Sequence, residues 1–170
     1  KGTNRKAFSE GSTDRYTWIR LGSSFLPSEL GAAFLLAQLE CAHRIVENRR
    51  MLATLYYRSL EPLEKAGFVK LPVNLADDAT SNGHMFYILT GSARERSTLI
   101  AFLAQRGISA LFHYVPLHSS PAGKKYGRIA GPMTVTNDIS ERLLRLPLYF
   151  EREPEDVETV SEAIREFYLG

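Results

Sequence analysis

With a single cysteine, Cys41, among 170 residues, the chain can close no internal disulfide, which fits a reducing cytosol. No apolar run approaches the ~20 residues that a membrane helix needs. An excess of one charge is missing as well. Lys and Arg number 21 against 19 Asp and Glu, a formal balance of +2, too even for wholesale binding to nucleic acid or an acidic membrane. There is no internal repeat, heptad array or low-complexity tract. Several catalytic signatures are absent: no Walker or dinucleotide fingerprint, no Gly-x-Ser-x-Gly elbow, no Ser-His-Asp order and no paired carboxylates. The chain opens on Lys1-Gly2-Thr3-Asn4-Arg5, with no Met and no apolar core behind the charges. That is not a signal peptide, and the expectation is a domain or ordered part of a longer chain.

What remains is an ordinary globular composition, 44% hydrophobic and 24% charged, able to bury a substantial core. Residues 1–26 are rich in Gly, Ser, Thr and Asn and read as a long arm, with a short strand predicted at 16–21. From Pro27 the pattern turns helical: Pro suits the first helical position and Glu29 the first turn. Leu30, Ala33, Phe34, Ala37 and Cys41 form one apolar stripe. Two helices or one bent helix then run to about Leu63, with Ala53, Tyr56, Tyr57, Leu60 and Leu63 apolar and Gly67 as a left-handed stop. Strands are predicted at 68–73, 84–89 and 108–114, and a helix at 93–106 with Leu99, Phe102 and Leu103 inward. Asp138 and Glu141 form a capping-box pattern for a short helix ending before Pro147. Pro154, Glu155 and Asp156 open a last helix with Val157, Val160, Ile164, Phe167 and Tyr168 on one face. This order predicts an α+β domain with a small mixed or antiparallel sheet at 67–170, preceded by linking helices at 27–66.

Site chemistry concentrates in Phe112-His113-Tyr114-Val115-Pro116-Leu117-His118-Ser119-Ser120-Pro121. Two of the four histidines fall here, at the end of a predicted strand and on the loop leaving it. His113 and His118 are candidates for metal ligands, acid/base groups, ligand contacts or satisfied structural histidines. A metal would need a third ligand, for which His84 is available, but no zinc spacing is present. Lys124, Lys125 and Arg128, in a glycine-punctuated stretch read as a loop, could meet a phosphate or simply be solvated. Ser24, in the Gly22-Ser23-Ser24 turn before the Pro27 helix, could bind an anion or merely cap the helix. The residues by themselves name no reaction.

Three ordered stretches together go further. Residues 22–40 (Gly-Ser-Ser-Phe-Leu-Pro-Ser-Glu-Leu-Gly-Ala-Ala-Phe-Leu-Leu-Ala-Gln-Leu-Glu), the 112–121 segment, and residues 140–148 (Ser-Glu-Arg-Leu-Leu-Arg-Leu-Pro-Leu) resemble the C-terminal half of the DegT/DnrJ/StrS sugar aminotransferases. Lys1-Gly2-Thr3-Asn4-Arg5 and Tyr16-Thr17-Trp18 extend the resemblance over essentially the whole chain. It implies an α/β fold similar to aspartate aminotransferase, in which a large domain carries pyridoxal 5′-phosphate on a lysine and a small C-terminal domain closes over it. That lysine is expected upstream of Lys1, so no catalytic residue is expected here.

The implied reaction is a ping-pong transfer of nitrogen from an amino acid, glutamate, to the 4-keto group of a nucleotide sugar, at a cytoplasmic homodimer interface. Many family members read Gly-Tyr-Asn-Tyr-Arg-Met before the linking helix, with the Asn on the partner subunit's cofactor phosphate. Ser24 stands at that Asn position and Leu26 at the Arg position. The resemblance places His113, Tyr114 and His118 in the family's His-Tyr-x-x-Leu-His loop beside the sugar cleft, and Tyr16 and Trp18 either on the sugar or base or in the interface core. No metal, nucleic acid or membrane partner is expected. The alternative is a binding or dimerisation domain derived from such an enzyme and lacking catalysis.

Overall fold

A computed structural model describes residues 4–12, 21–22, 25, 27–73 and 81–170. The chain divides into two units, Lys1–Cys41 and Ala42–Gly170. The first holds α1 (Arg5–Ser9) and α2 (Glu29–Glu40). Ser28 caps α2, its hydroxyl accepting from the Gly31 amide at 3.1 Å, and Glu29 supplies the first-turn carboxylate expected of it. The apolar stripe of α2 is not a core face: Leu30, Phe34, Leu35, Leu36 and Leu39 are all exposed. The strand predicted at 16–21 lies almost wholly outside the described residues.

The second unit runs α3 (Ala42–Lys65), β1 (Phe86–Leu89), α4 (Ala93–Gln105), β2 (Leu111–Phe112), a 3-10 turn at Leu117–Ser119, α5 (Pro121–Tyr126), α6 (Thr134–Arg142), β3 (Leu143–Leu146) and α7 (Pro154–Leu169). In α3, Leu52, Tyr56, Leu60 and Leu63 recur at helical spacing and are buried. Pro62 sits in the last turn, and Gly67 at φ 83° closes the helix while the Phe68 amide reaches back to the Leu63 carbonyl at 3.0 Å. The Ser92 hydroxyl caps α4 through the Glu95 amide. Pro154, Glu155 and Asp156 open α7 as the sequence indicates.

The sheet is antiparallel, in the order β1-β3-β2, with Phe86 opposite Leu146, Ile88 opposite Leu144, and Leu111 opposite Arg145. Strand alternation sends Phe86, Ile88, Leu144 and Leu146 into the core and leaves Tyr87 and Arg145 half-buried on the other face. The core joins those residues to Leu52, Tyr56 and Leu60 of α3, Leu99 and Leu103 of α4, and Val157, Val160 and Ile164 of α7. Tyr56 stacks on Phe86 with ring centroids 5.0 Å apart and donates its hydroxyl to the Pro147 carbonyl at 2.8 Å. Burial holds that phenol well above its usual pKa, so it stays a donor.

Four expectations need correction. The run 68–73 is not a strand: a single bridge pairs Lys70 with Leu89. The strand predicted at 108–114 shrinks to Leu111–Phe112, because Tyr114 turns to φ 54° and Pro116 lacks an amide. The stretch from Gly123 is not all loop, since Ser120 and Pro121 start a helix through Tyr126. Asp138 does not begin a helix. It lies inside α6, where its carboxylate meets Arg142 at 2.6 Å, and Leu143–Leu146 is the central strand rather than helix. Arg142 fastens that junction, its guanidinium donating to the Thr90 carbonyl at 3.1 Å while its own carbonyl accepts from the Thr90 amide.

Candidate functional site

The segment leaving β2 is tied to α6 by the His118–Asn137 hydrogen bond. Tyr114 sits at positive φ, a conformation costly for a side chain with a Cβ, and its ring lies 4.5 Å from that of His113. Val115 then precedes Pro116, the 3-10 turn raises His118, and Ser120 closes the segment. The Ser120 hydroxyl donates to the Leu117 carbonyl at 2.7 Å and accepts from the Gly123 amide at 3.0 Å. Gly123 is required here, since a methyl group at that position would overlap the Leu117 carbonyl.

The two histidines face different surroundings. His118 Nε2 lies 2.8 Å from Asn137 Oδ1 on α6. A carboxamide oxygen only accepts, so Nε2 is the donor in this bond. His113 lies within electrostatic reach of Arg145 and His84. Burial, then the Arg145 charge, then His84 push its pKa below the ordinary histidine value, which favours the neutral ring at neutral pH. Its Nδ1 is buried without a hydrogen-bond partner. His84 in turn donates from Nδ1 to Asn82 Oδ1 at 3.0 Å. Among the described residues no three His, Cys, Asp or Glu side chains are grouped to hold a metal ion, so His84, His113 and His118 do not form a ligand set.

Two grooves flank the His118–Asn137 bond and share Pro116. One, of about 680 Å³, is lined by Leu117, His118, Lys124, Arg128 and Met133. The other, of about 420 Å³, is lined by Arg96, Phe112, Tyr114, Asn137 and Glu141. Arg96 spans the second groove, donating to the Ser140 carbonyl at 3.1 Å, with its guanidinium 5.9 Å from the Phe112 ring centroid. The arrangement offers hydrogen bonds, cations and aromatic faces along one rim, the equipment for orienting a polar ligand. It holds no nucleophile–base pair among the described residues.

Tyr114 and His118 thus line the grooves, and His113 lines neither. Ser24, Tyr16 and Trp18 lie outside the described residues. Asn137, Arg96 and Arg145 escape sequence reasoning. A helix started at Asp138 leaves Asn137 in a loop, and only the antiparallel register puts Arg145 beside Leu111 and near His113.

The fold is similar to that of solved aminotransferases. DesV from S. venezuelae matches with a TM-score of 0.77 at 30% identity, over 96% of this chain and 42% of its own. The fold is therefore part of an aminotransferase fold. Residues 3–165 match the model of the DegT/DnrJ/EryC1/StrS aminotransferase family, and the chain belongs to that family.

Among its relatives, the pleiotropic regulatory protein of Geobacillus stearothermophilus is 31% identical over 93% of this chain and 41% of its own length. The dTDP-4-dehydro-2,3,6-trideoxy-D-glucose 4-aminotransferase of Saccharopolyspora spinosa is 28% identical over 89% of this chain and 38% of its own length. The chain thus spans about two-fifths of the relatives it matches.

Aminotransferases of this family use pyridoxal phosphate. The described residues do not form a cradle for it. Lys6, Lys65, Lys70, Lys124 and Lys125 are all exposed, and none stands in an enclosed pocket where a cofactor amine bond could be shielded. No helix among the described residues is long and apolar enough to cross a membrane.

Proposed function

We propose that this chain is the small-domain part of a pyridoxal-phosphate aminotransferase. It moves an amino group from glutamate to the 4-keto group of a dTDP-linked 6-deoxyhexose, giving a product of the dTDP-4-amino-4,6-dideoxygalactose type for bacterial surface polysaccharide. The family match over residues 3–165 carries this reading. The dTDP-sugar aminotransferase among the relatives favours a nucleotide-sugar acceptor. The working unit is a cytoplasmic homodimer, in which residues 1–26 reach the neighbouring active site with Ser24 on the cofactor phosphate and Tyr16 and Trp18 on the sugar or base. The linking helices are residues 27–66 and the small domain 67–170.

The cofactor supplies the electron sink for the transfer. This chain's residues orient the sugar. His118, held at Nε2 by Asn137, offers its Nδ1 to a sugar hydroxyl; Tyr114 adds a phenol on the same rim; the neutral His113 buttresses the Tyr114 ring. The proton at the reacting carbon is moved by the cofactor lysine, which lies outside this chain, so the 170 residues alone are inactive.

The test uses the intact protein with pyridoxal phosphate, L-glutamate and dTDP-4-keto-6-deoxyglucose, followed by mass analysis. Formation of the dTDP-amino sugar is expected, and its absence with every 4-keto nucleotide sugar offered would refute the proposal. Borohydride reduction of the 170-residue chain with pyridoxal phosphate should fix no stoichiometric label. A second reading, a binding or dimerisation module without catalysis, is favoured by the relative described as a pleiotropic regulatory protein. Stoichiometric reductive labelling of one lysine in the intact protein would exclude it.

A further inference from the structure

We infer that the groove between the 3-10 turn, α5 and the start of α6 seats the diphosphate of the nucleotide sugar, with Lys124 and Arg128 as its cationic contacts. This rests on the proposed nucleotide-sugar chemistry and adds the subsite.

The lining of the groove carries it. Lys124, Arg128 and His118 face a space of about 680 Å³, and no Asp or Glu borders it. Two other grooves differ: one carries Glu141 beside Arg96, and the one against α3 sets Glu61 and Glu64 against Arg58 and Lys70, although a smaller groove also holds Arg145 without a carboxylate. Some cations of this chain are neutralised by a carboxylate, as Lys65 is by Glu61 and Arg142 by Asp138, whereas others, Arg50, Arg58, Arg94 and Lys125 among them, form no ion pair among the described residues. Lys124 and Arg128 have no such partner among the described residues. Two unneutralised cations around one concavity attract an anion more strongly than any single charge would.

The remaining lining fits a phosphate-bearing organic ligand better than a free ion. Gly123, Gly127 and Ala130 leave the floor nearly free of side chains, so an extended diphosphate can lie close to the backbone. Leu117, Ile129 and Met133 supply an apolar wall for a nucleoside or a deoxysugar, and Leu117 and Ile129 are largely exposed in the described chain. An inorganic phosphate would use the cations and leave that wall uncovered. His118 belongs at once to this groove and, through Asn137, to the sugar rim, so a ligand lying across the bond would place its diphosphate on Lys124 and Arg128 and its sugar toward Tyr114.

The test is calorimetric titration of the intact protein with dTDP, thymidine and inorganic pyrophosphate, comparing wild type with the Lys124→Ala/Arg128→Ala double variant. Two exposed charge contacts predict about a tenfold loss of dTDP affinity in the double variant, shrinking at high salt, with no change in thymidine binding. The charge-conserving Lys124→Arg/Arg128→Lys variant should recover most of the dTDP affinity, which separates lost contacts from a misfolded groove. Unchanged dTDP affinity in the double variant, or loss that charge conservation does not recover, would overturn the subsite while leaving the proposed reaction intact. Failure of the wild type to bind any nucleoside diphosphate, with dTDP, UDP and GDP tried in turn, would overturn the subsite and the nucleotide-sugar acceptor together.

Discussion

Replacing Asn137 by Ala isolates the one bond that ties the histidine loop to α6. In the structure, His118 Nε2 and Asn137 Oδ1 are 2.8 Å apart, and among the described residues no other side-chain hydrogen bond holds the ring. A neutral hydrogen bond of this kind contributes about 1 kcal/mol net, or roughly fivefold in an equilibrium constant. If the bond orients His118 toward the sugar, Asn137→Ala should raise the KM for the nucleotide sugar about fivefold by that same figure. The half-reaction with glutamate, followed by the spectrum of the cofactor in the intact protein, should be unchanged. His118→Ala should cost about tenfold in KM, since the contact itself is lost as well as its orientation. The double variant should then be no worse than His118→Ala, because Asn137 acts through the ring. The bond lies near the surface, so Tm should fall by no more than about 2–4 °C. Independent, additive effects of the two substitutions, or an equal effect on the glutamate half-reaction, would refute this assignment.

Three further outcomes test the fold. Tyr56→Phe removes the hydroxyl donated to Pro147 and leaves that carbonyl unpaired, so thermal or urea unfolding should show a loss of about 1–2 kcal/mol with no change in m-value. Leu144→Ala, at a fully buried position of the central strand, should cost about 2–5 kcal/mol in the same assay, whereas Leu111→Ala, half-exposed on β2, should cost under about 1 kcal/mol. Glu158 is held below the usual carboxylate range by hydrogen bonds from Arg165 and Ser59. A depressed folded pKa means that its contribution is present above the unfolded value near 4.5 and is lost as pH falls through the folded one. Acid titration of stability should therefore be shallower below pH 4.5 for Glu158→Gln than for wild type, and identical slopes would contradict it.

Much of this architecture is legible in the sequence where periodicity runs long enough to dominate. The helices α3, α4 and α7 follow from apolar spacing, with Gly67 closing α3 and Pro154 opening α7, while the Ser92 cap of α4 emerges only in the structure. The strands are harder because they are short. Leu143-Leu144-Arg145-Leu146 consists of good helix formers directly after a real helix, and only pairing on both sides with β1 and β2 makes it the central strand. Reading Asp138 as a cap misplaces α6 by one turn and hides Asn137, although the i,i+4 pair of Asp138 with Arg142 was available as a mid-helix signal. The clustering of His113, Tyr114 and His118 is visible at once, but their division is not. Whether an imidazole faces a carboxamide or an arginine depends on register and on a positive φ at Tyr114, which no residue pattern announces.

The central claim is that the loop from His113 to His118 orients a nucleotide sugar for amino transfer. It is tested most directly by the KM for dTDP-4-keto-6-deoxyglucose, measured with the intact protein, pyridoxal phosphate and saturating glutamate, for wild type and His118→Ala. A dTDP-amino sugar formed by both, with the KM raised about tenfold in the variant and the glutamate half-reaction unaltered, is the expected result. A KM that His118→Ala leaves unchanged, or no amino sugar from the wild type, would contradict it.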